Sequence, residues 1–418
     1  MRVCLLCYRG NPFCGGQGVY LYSLSRALAG RGHEVTILVG PPYPHPTPWA
    51  RVERIPNHQY WGKRRHFLPN GNPLGILRPL EFLEFSSSRL GYFPEPLAFS
   101  LRAWRRFSML HRETPYDIVH DVETLGYGLL GIRWQGVPVV STVHHPLTLD
   151  LISHLGKARS WKERYYNVVF FPLIMQGIVA RRIEGIITSS EAGIMEIERA
   201  FRVRRESIHL VHTGVDLEVF SPNPSVEKVP GRVLFVGNAQ DPRKGIRLLL
   251  EALRLLPDGV TLVIVDEREP KKPYAPAMVR QMGLGERVVF TGRVTQEELV
   301  DHYRRANVLV LPSFFEGFGL PVVEALGCGT PVVVTDAGSL PEVVGEGEGG
   351  FIVPTGDSRA LASAIERITR DPSLAREMGS KGRKRMERLF SWDRTASHTE
   401  KVYEIAAERC RAKGKEEG

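Results

Sequence analysis

Cysteine is scarce in this chain of 418 residues, and the five that occur follow no disulfide framework. They are Cys4, Cys7, Cys14, Cys328 and Cys410. An odd count without regular spacing is typical of reduced thiols in a cytosolic protein. Cys4 and Cys7 form a C-x-x-C pair, but they fall in a predicted strand, where positions three apart face opposite sides. Because no second C-x-x-C completes a zinc site, we predict core thiols.

The sequence also lacks a secretory leader, a membrane-spanning run and a D-x-D motif. The apolar stretch after Arg2 is too short for the hydrophobic part of a leader, and no apolar run reaches the roughly 20 residues of a transmembrane helix. We therefore expect a cytoplasmic protein. Asp121 and Glu123 look like a metal-binding pair, although capping or solvated carboxylates are the commoner interpretation. Without D-x-D, we expect no obligatory divalent metal.

The net charge is +9, and the positive excess lies in the first half of the chain. Residues 1–215 hold 26 Lys+Arg against 16 Asp+Glu, and residues 51–112 alone hold 11 against 4. Aromatic residues are interspersed with these arginines. Such a surface suits an anionic acceptor or the anionic inner face of the cell membrane, or it consists of ordinary solvated helix faces. No DNA- or RNA-binding motif accompanies the charge, so nucleic acid is the weaker interpretation.

Short apolar runs alternate with helical patterns in both halves of the chain. Predicted strands of the first half are 2–8, 34–39, 118–119, 137–143, 185–188 and 208–211. Those of the second half are 233–237, 260–265, 288–291, 308–311 and 331–335. A linker rich in Pro and Ser at 220–231 separates them. The pattern predicts an α/β protein with two Rossmann-like, doubly wound parallel-sheet domains facing a cleft, at 1–218 and 219–389.

The most informative segment is Ser313–Asp336, in which Glu316 and Glu324 flank a glycine-rich turn. Pro321 suits the first turn of a helix because its missing N–H needs no partner there. The N–H groups and the dipole of such a helix start attract an anion such as phosphate. Glu324, about one turn further on, suits hydroxyl groups such as those of a ribose. Phosphate, ribose and a third group facing Glu316 are the parts of an activated sugar.

This segment resembles the glutamate-pair motif of retaining glycosyltransferases of family 4, which have the GT-B fold. The resemblance implies that Glu324 binds the nucleotide ribose and that Glu316 touches the donor sugar. The backbone facing the distal phosphate and the sugar would come from Gly319, Leu320 and Pro321.

The resemblance extends over about residues 1–400, except for 45–115, where we recognise no family motif. It implies an N-terminal domain for the acceptor and a C-terminal domain for the donor. F-S-W at 390–392 resembles the start of the family's final helix, which crosses back onto the N-terminal domain and here would occupy 390–418. Helices are predicted at 360–378 and 392–411, and the tail 411–418 is predicted to be disordered.

A second element, Val236–Gly245, follows a strand and opens a helix. A lysine at that place can reach a diphosphate as a mobile point charge. The stretch resembles the strand–loop–K-G element of the family, in which an Arg and a Lys bind the donor diphosphate. Lys244 matches the lysine, whereas Asn238 stands in the Arg position and carries no charge. Whether Arg243 supplies the missing charge is left open.

Two further elements lie in the first half. Gly15 and Gly16 precede a helix and permit close approach of a ligand, but the full G-x-G-x-x-G of nicotinamide-binding proteins is absent. The loop resembles the family's glycine loop, which covers the donor phosphate and the acceptor. His144, at a strand end, matches the family position that meets the donor sugar. His145 and Asp121 are predicted on the acceptor side.

The resemblance implies transfer of a hexose, with retention, from a nucleotide-diphosphate sugar to a lipid-linked or glycan hydroxyl, without a cofactor. His144, Lys244 and Glu316 would form the catalytic centre, with helix starts and Lys244 stabilising the departing diphosphate. No carboxylate is placed as a nucleophile. The resemblance implies front-face displacement, in which the leaving phosphate helps to deprotonate the acceptor. Two alternatives stay open: a sugar-nucleotide epimerase of the same architecture, and a degenerate nucleotide-sugar binder, for which Asn238 is the only sign.

Overall fold

The structure, a computed structural model, describes the chain apart from residues 12–15, 45–46, 58–77, 91–92, 145, 147–159, 162–172, 267–273 and 417–418. The predictions for Gly15 and His145 therefore lie outside the described residues. The chain divides into two compact units. The first contains Met1–Ser189, Gly193–Val211 and Thr395–Gly418, and the second contains Ser190–Ala192 and His212–Arg394.

A seven-stranded parallel sheet forms the first unit, in the order β3-β2-β1-β4-β5-β6-β7. Its strands are β1 (Arg2–Cys7), β2 (Glu34–Val39), β3 (Ala50–Arg54), β4 (Ile118–Val122), β5 (Val139–Thr142), β6 (Gly185–Thr188) and β7 (Ile208–Leu210). Every residue of β4 and β5 is buried, as expected for inner strands of a parallel sheet. The order reverses between β1 and β4, and ligands of doubly wound sheets bind beyond the strand ends at such a reversal.

Helices alternate with these strands in the described part of the chain. They are Gly16–Gly30, Pro79–Arg89, Glu95–Glu113, Gly128–Arg133, Leu173–Ala180 and Glu191–Phe201. Cys4 and Cys7 are buried free thiols in β1.

The second unit has a six-stranded parallel sheet in the order β10-β9-β8-β11-β12-β13. Its strands are β8 (Arg232–Val236), β9 (Thr261–Val265), β10 (Val288–Gly292), β11 (Val308–Leu311), β12 (Val332–Thr335) and β13 (Gly350–Val353). The helices are Ile246–Leu255, Tyr274–Gln281, Gln296–Arg305, Leu320–Gly327, Leu340–Val344, Ser358–Arg370 and Pro372–Leu389. Here the strand order reverses between β8 and β11. Both predicted Rossmann-like sheets are therefore confirmed.

The last helix, Trp392–Glu416, returns to the first unit, as predicted. Tyr403, fully buried, makes a 2.7 Å hydrogen bond with Nδ1 of His120 in β4. Earlier in the same helix, the Glu400 carboxylate accepts from the guanidinium of Arg31 at 2.8 Å. These contacts anchor the end of the chain on the first sheet.

The compact units divide between Val211 and His212 and again before Thr395, whereas the predicted domains end at 218 and 389. Two predictions about the last helices were wrong. The helix predicted at 360–378 is two helices, because Asp371 accepts from the N–H groups of Ser373 and Leu374 and so begins a second helix. The tail predicted to be disordered from 411 is helical to Glu416.

Candidate functional site

The loops that follow β8 and β11 lie next to each other at the strand reversal of the second sheet. The first loop carries Asn238 and Lys244, and the second carries Glu316. A backbone hydrogen bond of 2.8 Å from the Phe314 N–H to the Arg243 carbonyl joins the two loops. Side chains that are distant in sequence thus come together where a doubly wound sheet binds its ligand.

Lys244 ends a 3₁₀ turn, Pro242–Lys244, which Asp241 caps by accepting from the Arg243 N–H. Gly245 follows with a φ of 70°. A Cβ at Gly245 would lie 1.8 Å from the Pro312 carbonyl oxygen, so only glycine permits this approach of the two loops. The turn therefore holds Lys244 beside the loop after β11.

The Lys244 ammonium donates to the Glu316 carboxylate at 2.8 Å, and the two side chains are 29% and 12% exposed. The Ser313 hydroxyl donates to the same carboxylate oxygen at 3.3 Å. The Glu316 carbonyl accepts from the N–H of Ser339 at 3.2 Å. Glu316 is thus fixed through both its backbone and its side chain, and its partner is the cation predicted to hold a diphosphate.

The helix Leu320–Gly327 begins beside this pair. Gly319 precedes it with a φ of 89°, no side chain caps the helix start, and Pro321 lies in the first turn. The Gly319 carbonyl accepts from the Val322 N–H at 2.8 Å. An uncapped helix start within the same loop as the Lys244 contact is a positively polarised place that suits an anion.

Glu324 lies on that helix, partly exposed. Its carboxylate accepts a hydrogen bond of 2.6 Å from the hydroxyl of Tyr303, a fully buried residue of the helix Gln296–Arg305. Burial and the neighbouring Glu324 carboxylate raise the pKa of Tyr303, so this hydroxyl remains a donor. Tyr303 therefore fixes the direction of the carboxylate predicted to bind a ribose.

Asn238 and Arg243 contribute differently from what the sequence suggested. The Asn238 carbonyl oxygen, Oδ1, accepts from the Gln240 N–H at 3.1 Å and shapes the turn. The Arg243 guanidinium pairs with the Asp241 carboxylate at 2.8 Å, within its own loop. Lys244, and not Arg243, is the cation that the structure brings to Glu316.

A second cluster lies at the strand reversal of the first sheet. His144 follows β5, and its backbone N–H donates to the Glu123 carboxylate at 3.0 Å. The Gln17 amide, at the start of the helix Gly16–Gly30, donates to the same carboxylate. The His144 ring packs edge-on against Tyr20, with ring centroids 4.8 Å apart. Among the described residues, no atom lies within 4 Å of the place where a Cβ of Gly16 would be.

Asp121 was predicted to face the acceptor, but it is fully buried. Its carboxylate accepts from the N–H groups of Thr124 and Leu125, both at 3.0 Å, and from the Ser141 hydroxyl at 2.7 Å. Burial raises the pKa of Asp121 to about 6. Through these contacts, all made by Oδ2, Asp121 shapes the loop after β4.

Comparison with known proteins agrees with this geometry. The family model described as Glycosyltransferase Family 4 matches residues 14–219, and that described as Glycosyl transferases group 1 matches residues 221–385. The MMP alpha-(1->4)-mannosyltransferase of Mycolicibacterium hassiacum is 38% identical over 99% of this chain and 100% of its own length. The chain belongs to glycosyltransferase family 4.

Solved structures similar to this family 4 glycosyltransferase show the GT-B fold. Sucrose-phosphate synthase from Thermosynechococcus elongatus has a TM-score of 0.73 at 24% identity, covering 96% of this chain and 98% of that one. Anabaena Alr3699/HepE in complex with UDP-glucose has a TM-score of 0.69 at 20% identity, covering 98% and 100%.

Among the described residues of this glycosyltransferase, no group of three His, Cys, Asp or Glu side chains could hold a metal ion. No helix in the described part of the chain is long and apolar enough to cross a membrane.

Tyr303 and Gln17 escaped the sequence analysis, and Glu123 entered it only as a possible metal ligand. Tyr303 reads as a core aromatic on an amphipathic helix, and only its contact with Glu324 shows its second role. Gln17 and Glu123 stand next to recognised elements, but neither residue type marks a ligand site by itself. Glu123 follows a strand at the sheet reversal, where ligands of doubly wound sheets bind, and this placement could have identified it as a site residue.

The ion pair of Lys244 and Glu316 predicts an effect of Glu316→Gln on binding. Because the glutamine carries no charge, the Lys244 ammonium no longer has an internal carboxylate that competes with a diphosphate. We expect nucleoside diphosphates to bind about two- to fivefold more tightly, since partly exposed pairs contribute up to about 1 kcal/mol. Turnover should fall, because Glu316 is predicted to touch the sugar. Isothermal titration with UDP and GDP measures the affinity. Weaker binding to Glu316→Gln than to the wild type would contradict the idea that Glu316 competes with the diphosphate for Lys244.

Proposed function

We propose that this glycosyltransferase transfers a mannosyl group from a nucleotide-diphosphate sugar to a carbohydrate hydroxyl, with retention of anomeric configuration. The observation that carries the proposal is the contact of Lys244 with Glu316 beside the uncapped start of the helix Leu320–Gly327. A point cation and a helix start suit two phosphate groups, and Glu324 suits a ribose. The family, and a structural neighbour holding UDP-glucose, support a nucleotide sugar as donor.

The mannosyl group and the acceptor class come from the relative, whose name specifies an alpha-(1->4)-mannosyltransferase. By analogy, we propose attack by a 4-hydroxyl group of a sugar. An α-linked donor that yields an α-linked product retains its configuration at C1, so the proposed linkage and the proposed stereochemistry agree for a donor of that kind.

In the proposed reaction, the bond between C1 and the diphosphate oxygen breaks, and the diphosphate leaves with the electron pair. The acceptor oxygen forms its bond to C1 on the same face, and its proton passes to an oxygen of the departing phosphate. Lys244 and the helix start at Gly319 stabilise the negative charge that develops on the diphosphate. Glu316 lies 2.8 Å from Lys244, where it would face the sugar.

Residues 51–112 hold more basic than acidic residues, which would favour a membrane-bound acceptor. Ion pairs within the first unit weaken that argument. Arg102 is buried and pairs with Glu84 at 2.6 Å, and Arg106 pairs with Glu53 at 2.8 Å. Their charges are satisfied within the first unit. We propose a glycan acceptor in preference to a lipid surface. Strong, salt-sensitive binding to anionic vesicles would favour the lipid-linked acceptor instead.

A donor screen tests the proposal. The protein is incubated with UDP-, GDP-, ADP- and TDP-linked sugars, mannose among them, with and without a manno-oligosaccharide acceptor. We expect one nucleotide to be released, rapidly only when acceptor is present, and an α-linked product by NMR. Release should survive EDTA, because we propose that no metal is needed. A β-linked product would overturn retention, and a changed sugar without transfer would favour the epimerase.

A further inference from the structure

Glu123 has a backbone conformation that side chains rarely adopt. Its φ is 60°, and the other positive values among described residues other than glycine belong to Leu125 and Arg202. In this left-handed region the Cβ approaches the following carbonyl oxygen, which is why glycine usually occupies it. Non-glycine residues in such conformations cluster at functional sites, where surrounding contacts hold them.

Glu123, which follows β4, contacts the residue after β5 and the start of the helix Gly16–Gly30 at the reversal of the first sheet. One carboxylate oxygen accepts from the backbone N–H of His144 at 3.0 Å, and the other accepts from the Gln17 amide. The Gln17 amide also donates to the Tyr8 hydroxyl at 3.2 Å. The ends of β1, β4 and β5 and the start of the helix Gly16–Gly30 are thereby fixed to one carboxylate. This is the edge of the sheet where a ligand of the first unit is expected.

The direction of the side chain depends on the unusual φ. With a φ of 60°, the Glu123 carboxylate reaches both the Gln17 amide and the His144 N–H. Glycine would fit the backbone better but would supply no carboxylate. The chain therefore has a strained glutamate where glycine would be unstrained, and the difference between them is the carboxylate.

We propose that Glu123 is a positioning residue for sugar transfer: its carboxylate sets the backbone of His144 and the start of the glycine-loop helix in register with each other. This inference rests on the proposed function, and on the family match that would place His144 at the donor sugar. Glu123 acts on the sugar through these neighbours, whereas the nucleotide depends on Glu324 and Lys244.

The decisive variant is Glu123→Gly, with Arg202→Gly as the matched control. Arg202 has a φ of 53°, is exposed, and follows the helix Glu191–Phe201. Both substitutions relieve a left-handed backbone, so Arg202→Gly should leave Tm unchanged or higher. Glu123→Gly also leaves the donors of His144 and Gln17 without their acceptor, so its Tm should be lower than that of Arg202→Gly, and kcat is compared at a temperature where both variants are folded. Only Glu123→Gly should lower kcat, by about tenfold or more, because misplaced reacting groups are costly. The Kd of the nucleoside diphosphate should stay unchanged in both variants.

Glu123→Gln provides a second measurement. Its amide keeps one acceptor oxygen but presents NH2 to one of the two donors, so its kcat should lie between those of the wild type and Glu123→Gly. Wild-type kcat in Glu123→Gly would overturn the proposal. A lower Tm in Glu123→Gly, with kcat restored at low temperature, would show a purely structural carboxylate and would also overturn it. Failure of the proposed function is distinguishable, because the wild-type protein itself would then transfer no sugar.

Discussion

Replacing Lys244 with alanine is expected to lower kcat by about 100- to 1,000-fold, the loss typical when one charge-stabilising group is removed from a transition state. In the structure, Lys244 is the cation that reaches across to Glu316 at the strand reversal, with its ammonium 2.8 Å from that carboxylate. The Arg position of the family motif holds Asn238, and Arg243 is paired with Asp241. We therefore expect neither neighbour to replace the positive charge of Lys244 opposite the departing diphosphate.

Lys381→Ala is the matched control for this variant. Lys381 also pairs with a glutamate, Glu377, at 2.7 Å, but the pair lies on the outside of one helix, and the lysine is 52% exposed. Such a pair contributes about 0.3–0.5 kcal/mol to stability, and its loss should not change turnover. Initial rates with saturating donor compare the two variants. Equal rates for Lys244→Ala and Lys381→Ala would show that the diphosphate is held elsewhere.

The effect on binding separates two roles of Lys244. If the ammonium binds the diphosphate equally in the ground state and the transition state, Lys244→Ala raises KM and leaves kcat intact. We expect the larger loss in kcat, because the charge on the leaving group grows as the bond to C1 breaks. The variant also leaves the Glu316 carboxylate, 12% exposed, without its cation. Thermal unfolding should accompany the kinetics to confirm that the protein remains folded at the assay temperature.

Elements with strong local signals were predictable from sequence, and those without were not. The helix Gln296–Arg305 has such a signal at its start, because Thr295 and Glu298 form a capping box. The strand Ala50–Arg54 was missed, since it is a polar edge strand with no buried residue. The break at Asp371 and Pro372 had a local signal, a capping residue before a proline, that an uninterrupted helical pattern obscured.

The residues of the site also differ in whether a local sequence signal marks them. The helix start at Gly319 and Pro321 is recognisable because its chemistry is local. Asp121 was predicted on the acceptor side, but its side chain is buried, because the exposure of a carboxylate at a strand end depends on the loop that folds over it, here residues 124–125. The left-handed φ of Glu123 also results from tertiary contacts and leaves no mark in the sequence.

Replacing Glu324 is expected to weaken nucleotide binding whatever sugar the nucleotide carries. Hydrogen bonds to a charged group contribute about 1.5–3 kcal/mol each, so Glu324→Ala should raise the Kd of UDP or GDP by about 10- to 100-fold. The same factor should apply to the free diphosphate and to the sugar nucleotide, since the ribose is common to both. A loss confined to the sugar nucleotide would place Glu324 at the sugar instead.

The alanine variant has a structural side effect that a second variant controls. Glu324→Ala leaves the hydroxyl of Tyr303, which is fully buried, without its 2.6 Å acceptor, at a cost of about 1–3 kcal/mol in the free energy of unfolding. Glu324→Gln retains one oxygen for Tyr303, removes the charge and replaces the other oxygen by NH2. If Glu324 binds the ribose, Glu324→Gln should weaken nucleotide binding while its Tm stays close to that of the wild type.

Tyr303→Phe should lower nucleotide affinity less than either change of Glu324, because the carboxylate remains and only its direction is no longer fixed. Unchanged nucleotide affinity in Glu324→Ala, measured by titration on folded protein, would exclude the ribose role and with it the proposed position of the donor.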